Sequence, residues 1–349
     1  MDDQVLARLG EVLEQAPPPV SVTEAEALAR RHYGLTATAT PLAGERDSNF
    51  HLRDGEGHEY VLKLMHPAED PAVVDFQDQA LLEIARRDPA LPVPRLIAPQ
   101  SGGTSVQVED GAPPRILRML TYLHGTPLGR GPAADAAQRC QLARYLARLD
   151  LALSGLRHHA ESHDLLWNLH YAARTRGLLA HVSDPARRAI PTQFLDRFER
   201  HALPILPGLR AQVVHNDFNP HNVLADGDGI AGIIDFGDML RAPLVQDLAT
   251  AAAYQVGDEA APLGGVSEMV AAYHAVLPLL PEEVEILADL IAARLVLTIA
   301  ISTWRAARHP DNATYIIRNQ GTAWRGLHSL STISRAESQA VLRRACGMG

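Results

Sequence analysis

One segment limits this chain more than any other: Val213-Val214-His215-Asn216-Asp217-Phe218-Asn219-Pro220-His221-Asn222-Val223-Leu224, with Ile233-Ile234-Asp235-Phe236-Gly237-Asp238 shortly after it. Val213 and Val214 are β-branched and apolar, as a buried strand requires. Residues 215–220 are polar or turn-forming, so the chain leaves the sheet there. The apolar runs 223–224 and 230–234 flank Asp226-Gly227-Asp228-Gly229, a strong hairpin signal. A hairpin brings its two ends together. Asn222 and Asp235 are therefore expected as neighbours, with Asp217 one short loop upstream. Magnesium takes a few hard oxygen ligands and keeps its other positions for water and phosphate oxygens. Asn222 and Asp235 suit that role, and Asp217 suits the residue that orients and deprotonates an attacking hydroxyl. A lone Asp-x-x-x-x-Asn carries little weight. The ordered set of strand, acid, amide, hairpin and Asp-Phe-Gly carries the reading of a phosphoryl-transfer site. Zinc held by His215, Asp217 and His221 is disfavoured, because no fixed spacing such as H-E-x-x-H is present.

The 349 residues suffice for two lobes with cores of their own. A formal net charge of -9 argues against nonspecific binding to nucleic acid or to an anionic membrane. The two cysteines, Cys140 and Cys346, cannot build a disulfide framework and point to a reducing, cytoplasmic setting. The acidic start, Met1-Asp2-Asp3-Gln4, is unlike a secretory or transit signal. Residues 286–304 are the most apolar long segment, yet they carry Asp289 and Arg294, which favours a buried helix over a membrane span.

Val5, Leu6, Leu9, Val12 and Leu13 recur at helical spacing, and Pro17-Pro18-Pro19 ends that helix. Ser21-Val22-Thr23-Glu24 is a capping-box pattern for a second helix, with Gly34 as its stop. Strands are expected over 36–40, 49–53 and 59–65, with Asp54-Gly55-Glu56-Gly57 as a turn. A helix over about 71–87 and strands over 105–108 and 115–120 follow. After Gly125-Thr126-Pro127 the pattern turns helical, around 142–153, 193–201, 245–254, 266–279 and 282–308. The expected architecture is α+β. A small, mostly antiparallel sheet with one main helix forms an N-lobe over residues 1–120, running into a connector at 119–124. A larger, mainly helical C-lobe covers 121–349.

Lys63 lies in the strand-like run Tyr60-Val61-Leu62-Lys63-Leu64-Met65 and shares a face with Val61 and Met65. Two readings stand for it. One is an edge lysine whose ammonium reaches water. The other, which the downstream acids favour, is a point charge aimed at nucleotide phosphates. The loop over residues 42–50 has backbone N–H groups suited to cover phosphates. It lacks G-x-G-x-x-G, and the absence of G-x-x-x-x-G-K-[ST] disfavours a P-loop enzyme.

Six pieces of the chain carry a resemblance. They are Asp47-Ser48-Asn49-Phe50, Tyr60-Val61-Leu62-Lys63-Leu64, the run 117–125 (LRMLTYLHG), Leu166-Trp167-Asn168-Leu169, the run 215–222 (HNDFNPHN) and the run 234–239 (IDFGDM). Together they resemble the aminoglycoside phosphotransferase/choline kinase family, which has a protein-kinase-like fold, and within it the hydroxylysine kinase branch. The resemblance implies transfer of the γ-phosphoryl group of ATP or GTP, with Mg2+, to a hydroxyl of a small amino alcohol or amino acid. It implies Asp217 as the base and Asn222 and Asp235 as magnesium ligands. Lys63 is implied at the α/β-phosphates, Ser48 and Asn49 in the phosphate-covering loop, and Met119, Thr121 and Leu123 in the stretch lining the nucleotide base pocket. Asp247 matches an acid that is structural.

One departure stands out. Many relatives place a glutamate on the N-lobe helix to pair with the lysine, and the matching position here is Gln79. A glutamine accepts a hydrogen bond but brings no charge. Lys63 is thus expected to be held more loosely, or by another acid.

The candidates for the acceptor side are Asp238, Asn219, His221 and Asn168. Each has a plainer reading: a loop-stabilising acid for Asp238, loop shape for Asn219 and His221, and a buried structural amide for Asn168. Arg294 is expected either to bind a substrate carboxylate or, more simply, to pair with an acid inside the C-lobe. Homoserine or a related amino alcohol is an alternative acceptor. An aminoglycoside is another, which a strongly acidic cleft would favour. From a different class, a nucleotide-binding pseudoenzyme finds room in Gln79 but is opposed by the intact Asp217, Asn222 and Asp235. The sequence does not set the oligomeric state.

Overall fold

The computed structural model describes residues 19–44, 47–109 and 114–349. The helix expected over residues 5–13 lies outside them. The chain divides into two compact units. The first comprises Met1–Gly125, Leu156–Leu166 and Ala231–Ile234. The second comprises Thr126–Gly155, Trp167–Ile230 and Asp235–Gly349.

In the first unit, α1 (Val22–Tyr33) opens on the capping box. The Ser21 hydroxyl accepts from Glu24 N, the Glu24 carboxylate accepts from Ser21 N, and Gly34 ends the helix at φ 68°. The strands are β1 (Ala37–Leu42), β2 (Ser48–Asp54) and β3 (Glu59–Leu64), followed by helix α2 (Pro71–Arg87), β4 (Leu96–Ile97), β5 (Val106–Val108) and β6 (Arg115–Thr121). All pairs are antiparallel in the order β1-β2-β3-β6-β4, with β5 also on β6. Strand β1 runs past the expected end at Thr40, because Pro41 and Leu42 still pair with Phe50 and Asn49. Proline is tolerated there since β1 is an edge strand. Alternation sends Phe50, Leu52, Leu62, Leu64, Leu117 and Met119 to one face, where they pack on Ala25 and Leu28 of α1. Lys63, between Leu62 and Leu64, is turned to the other face.

The second unit contains β7 (Thr126–Pro127), α3 (Ala136–Leu153), α4 (Pro185–His201), β8 (Ala211–Val214) and β9 (Val223–Asp226). Next come β10 (Gly229–Ile233), whose last three residues belong to the first unit, β11 (Leu240–Pro243), α5 (Val245–Ala252) and α6 (Gly264–His274). The chain finishes with α7 (Pro281–Arg308), α8 (Ala313–Ile316), α9 (Gln320–Ser331) and α10 (Arg335–Ala345). Val213 and Val214 are fully buried in β8, which pairs with β11. The turn after β9 has Gly227 at φ 57°, a left-handed conformation that glycine adopts without strain.

Helix α4 starts eight residues before the periodic run at 193–201. Asp184 caps it and Pro185 occupies the first turn, but Pro191 inside the helix hides the signal. Helix α7 is buried along almost its whole length, with α4, α5, α9 and α10 packed on it. Its internal charges are paired, as burial demands. Asp289 binds Arg197 and Arg335, and Arg294 binds Asp217. Among the described residues no helix is long and apolar enough to cross a membrane.

Candidate active site

The site in the second unit is built from β8 outward. At the end of that strand His215 N and Asn216 N, both fully buried, donate to the Asp247 carboxylate at 2.9 and 2.7 Å. Asn216 is left-handed, at φ 64°, and Gln246 Nε2 donates to its side-chain oxygen at 2.8 Å. Asparagine tolerates this conformation better than most residues. Asp247 sits beside a second buried carboxyl. Tyr273 Oη donates to Asp150 Oδ2 at 2.5 Å, while Asp150 Oδ1 is buried with no donor to accept from. Two carboxyl groups that share a buried site cannot both ionise. Burial raises Asp150 well above the ordinary aspartate value, and the charge on Asp247 raises it further. Asp150 thus keeps the proton, and Asp247 carries the charge that holds the loop.

Two residues beyond this anchor is Asp217. Arg294 Nη2 donates to its Oδ1 at 2.7 Å, and Asn219 Nδ2 and Asn222 Nδ2 donate to its Oδ2 at 2.9 and 2.7 Å. Burial raises its pKa. The Arg294 charge and the Asn219 hydrogen bond work against that rise, and Asp235 adds to it. The Asn222 amide nitrogen also donates to the backbone oxygen of Asp217 at 3.0 Å. With Nδ2 spent on Asp217, Asn222 has its oxygen left for a cation. Among the described residues Asp235 is the other non-glycine residue at positive φ, 64°, and its Oδ1 accepts from Gly237 N at 3.4 Å. Strain of this kind survives where the surroundings over-determine it. An amide oxygen and a carboxylate are hard ligands of the number that magnesium takes from a protein when phosphates supply the rest. Among the described residues no trio of His, Cys, Asp or Glu forms a metal cluster.

The four acceptor-side candidates fall into different roles. Asn219 spends its amide nitrogen on Asp217 and its oxygen on His221 N, at 2.8 Å. The His221 ring bonds Asn319 Oδ1 at 3.0 Å and lies against Gly129. Burial lowers its pKa, and the Arg318 charge adds to that. Both residues line a cavity of about 1340 Å³ within this unit, together with Phe218 and Tyr254. The cavity wall carries both signs of charge, with Arg139, Arg318 and Arg325 beside Asp258, Glu259 and Glu268. Asn168 is half-buried and caps the 3-10 stretch Leu169–His181 by accepting from His170 N at 3.0 Å. Asp238 lies close enough to Arg294 to favour its charge. Sequence reasoning missed that the acid paired with Arg294 is Asp217 itself. It also missed Trp167, whose ring lies 5.0 Å from that guanidinium.

In the first unit, Lys63 Nζ is 3.6 Å from Asp47 Oδ2, and Asp47 Oδ1 accepts from His66 N at 3.0 Å. The other acid anticipated for the lysine is therefore Asp47, in the loop before β2. Gln79 donates instead to Asp75 at 3.4 Å on the exposed side of α2. The inward residues of that helix, Asp78 and Gln77, bind the buried Arg118 at 2.9 and 2.7 Å. Ser48 and Asn49 begin β2, and Asn49 is paired with Lys63 in register. A Cβ on Gly44 would meet Asn49 Nδ2 at 2.5 Å and Asp47 O at 2.7 Å, so Gly44 lies tightly against Asn49. Met119 is buried, and the Thr121 hydroxyl accepts from Arg95 N at 2.9 Å. Leu123 follows in the connector.

Comparison with known proteins identifies the family and the fold. The model of the phosphotransferase enzyme family (APH) matches residues 38–287. The chain is 27% identical to hydroxylysine kinase of Danio rerio, over 95% of this chain and 96% of that protein. It is 30% identical to homoserine kinase of Mesorhizobium japonicum, over 55% of this chain and 56% of that one. Among solved structures, amicoumacin kinase in complex with AMP-PNP and Ca2+ shares the fold with a TM-score of 0.61 at 15% identity, covering 92% of this chain and 93% of that chain. The α+β architecture is thus kinase-like, and the chain belongs to the phosphotransferase enzyme family as a small-molecule kinase.

Proposed function

We propose that this kinase uses magnesium to move the γ-phosphoryl group of ATP or GTP onto a hydroxyl of a small amino acid or amino alcohol, with hydroxylysine the first candidate. The observation that carries the reading is the Asp217 carboxylate, held by three donors beside an amide oxygen and a second acid. Asp217 takes the proton of the acceptor hydroxyl as the acceptor oxygen bonds to the γ-phosphorus. The bond from that phosphorus to the β,γ-bridging oxygen breaks, and ADP or GDP leaves. Asn222 and Asp235 are the residues that would hold magnesium, which supplies charge neutralisation at the phosphates when bound. Lys63 contributes a positive charge for the nucleotide phosphates, with Asp47 orienting its ammonium. Ser48 and Asn49 belong to the phosphate-covering loop, and Met119, Thr121 and Leu123 to the stretch that meets the base.

The acceptor class rests on the cavity beside Asn219 and His221. A polycationic aminoglycoside calls for an acidic wall. Here three arginines stand with three acids, which suits a molecule carrying both an amine and a carboxylate. Homoserine shares that chemistry, and the homoserine kinase relative supports it as the second reading.

The test is magnesium-dependent release of ADP or GDP with 5-hydroxylysine, homoserine, ethanolamine, choline and an aminoglycoside, each with ATP and with GTP. Stimulation by 5-hydroxylysine or homoserine that disappears in Asp217→Asn is the expected result. Stimulation by the aminoglycoside alone would overturn the acceptor class. An Asp217→Asn enzyme with near-normal turnover would overturn the assignment of the base. Nucleotide binding without turnover on any acceptor would instead favour the pseudoenzyme.

A further inference from the structure

The cation most deeply placed in the second unit is Arg294. It lies midway along α7, 2% exposed, among apolar neighbours. Nη2 donates to Asp217 Oδ1 at 2.7 Å and approaches Tyr254 Oη at 3.5 Å. The guanidinium carbon sits 5.0 Å from the centre of the Trp167 ring. Its other two donors, Nε and Nη1, are buried and make no hydrogen bond. A buried guanidinium with donors unspent is costly to keep, so packing alone does not explain it. Those donors are sealed from solvent, which argues against direct capture of an acceptor carboxylate.

We propose that Arg294, stacked on Trp167, is a positioning residue that selects which oxygen of Asp217 reacts. This rests on the reading of Asp217 as the base. A carboxylate has about four lone-pair sites, two on each oxygen. Both sites on Oδ2 are occupied, by Asn219 and Asn222. Arg294 occupies one site on Oδ1. The single site left is the second one on Oδ1, and the acceptor hydroxyl binds there. Arg294 thus fixes the rotation of the carboxylate and leaves one direction of approach. Trp167 supports the guanidinium by a cation–π contact, and a lysine at the same place, a point charge on a flexible stem, would lack the rigid planar fork of donors. This gives the buried cation midway along α7 a role.

The experiment compares Arg294→Met, Arg294→Lys, Trp167→Phe, Asp217→Asn and the double variant Asp217→Asn with Arg294→Met. The readouts are kcat, the KM of nucleotide and acceptor, and thermal unfolding. Arg294→Met keeps the apolar packing of α7 and should lower kcat about a hundredfold, the usual scale for a misplaced reacting group. Nucleotide KM should stay within about twofold of wild type, since no nucleotide contact is lost. Trp167→Phe, which keeps an aromatic face, should lie between wild type and Arg294→Met, and Arg294→Lys should recover only part of kcat. In the double variant, removal of Arg294 should cost no further activity, because it acts only through Asp217.

A kcat for Arg294→Met within about threefold of wild type, with Asp217→Asn inactive, would overturn the role of Arg294 while leaving the base in place. An additive loss in the double variant would show a general scaffold role instead. Turnover that persists in Asp217→Asn would mean that the base assignment itself had failed. Should Arg294→Met not fold, Arg294→Lys and Trp167→Phe decide, and wild-type kcat in both would overturn the proposal.

Discussion

Replacing Asp247 by alanine removes the anchor of the loop that leads to Asp217. The magnitude follows from what is left behind. His215 N and Asn216 N, donating at 2.9 and 2.7 Å in a fully buried setting, both lose their acceptor. Each orphaned buried donor costs about 1–3 kcal/mol, so the pair costs roughly 2–6 kcal/mol. Loss of a buried charge offsets part of this, and at least about 2 kcal/mol of destabilisation should remain. Asp247→Asn keeps one acceptor oxygen but turns an amide donor toward the second N–H, so its cost should be roughly half. The left-handed backbone of Asn216 makes the consequence functional. Without its anchor that residue relaxes, and Asp217 moves with it. Urea unfolding of the three proteins, with kcat measured on the same preparations, gives both numbers. The expected order is wild type, then Asp247→Asn, then Asp247→Ala, in stability and in turnover alike. An Asp247→Ala protein that unfolds at the wild-type midpoint would refute the claim that these two hydrogen bonds hold the loop.

Asp150 predicts a pH dependence. Its folded-state pKa is raised by burial and by Asp247, so its contribution to stability is complete below the ordinary aspartate value of about 3.9 and is lost as pH rises through the folded pKa. Asp150→Asn can donate to Asp247 and accept from Tyr273 at any pH. Its urea midpoint should therefore decline less than that of wild type on the alkaline side, and equal declines would contradict the shared proton. At Gly129 a Cβ would lie 2.5 Å from His221 Cε1, which forces the ring off Asn319. Gly129→Ala should cost about 1–3 kcal/mol and lower turnover. Adding His221→Ala should recover most of the stability; a double variant no more stable than Gly129→Ala would place the clash elsewhere. The Lys63–Asp47 pair is partly screened by water and worth about 1 kcal/mol, so Asp47→Asn should raise nucleotide KM about fivefold. Gln79→Ala should leave that KM unchanged, and the reverse pattern would return the lysine's partner to α2.

The local order of the second unit was legible because its signals are short-range. Two buried β-branched residues make β8, polar and turn residues end it, and Asp-Gly-Asp-Gly turns the chain after β9. Helix α7 was legible for the same reason, since apolar residues continued around two charges over many turns. Strands β4, β7 and β11 were not: β4 and β7 have two residues each, too few for an alternation to register, and β11 carries Arg241 and Pro243 among its four. The sequence alone named the side chains proposed to hold a hard cation and the acid proposed beside them, since residue type and spacing decide that chemistry. Only the tertiary structure decided the partners. Arg294 meets Asp217 across 77 residues, Asp247 reaches His215 across 32, and Asp47 rather than Gln79 approaches Lys63. A charge in an apolar run announces that it needs a counter-charge, but packing chooses which one.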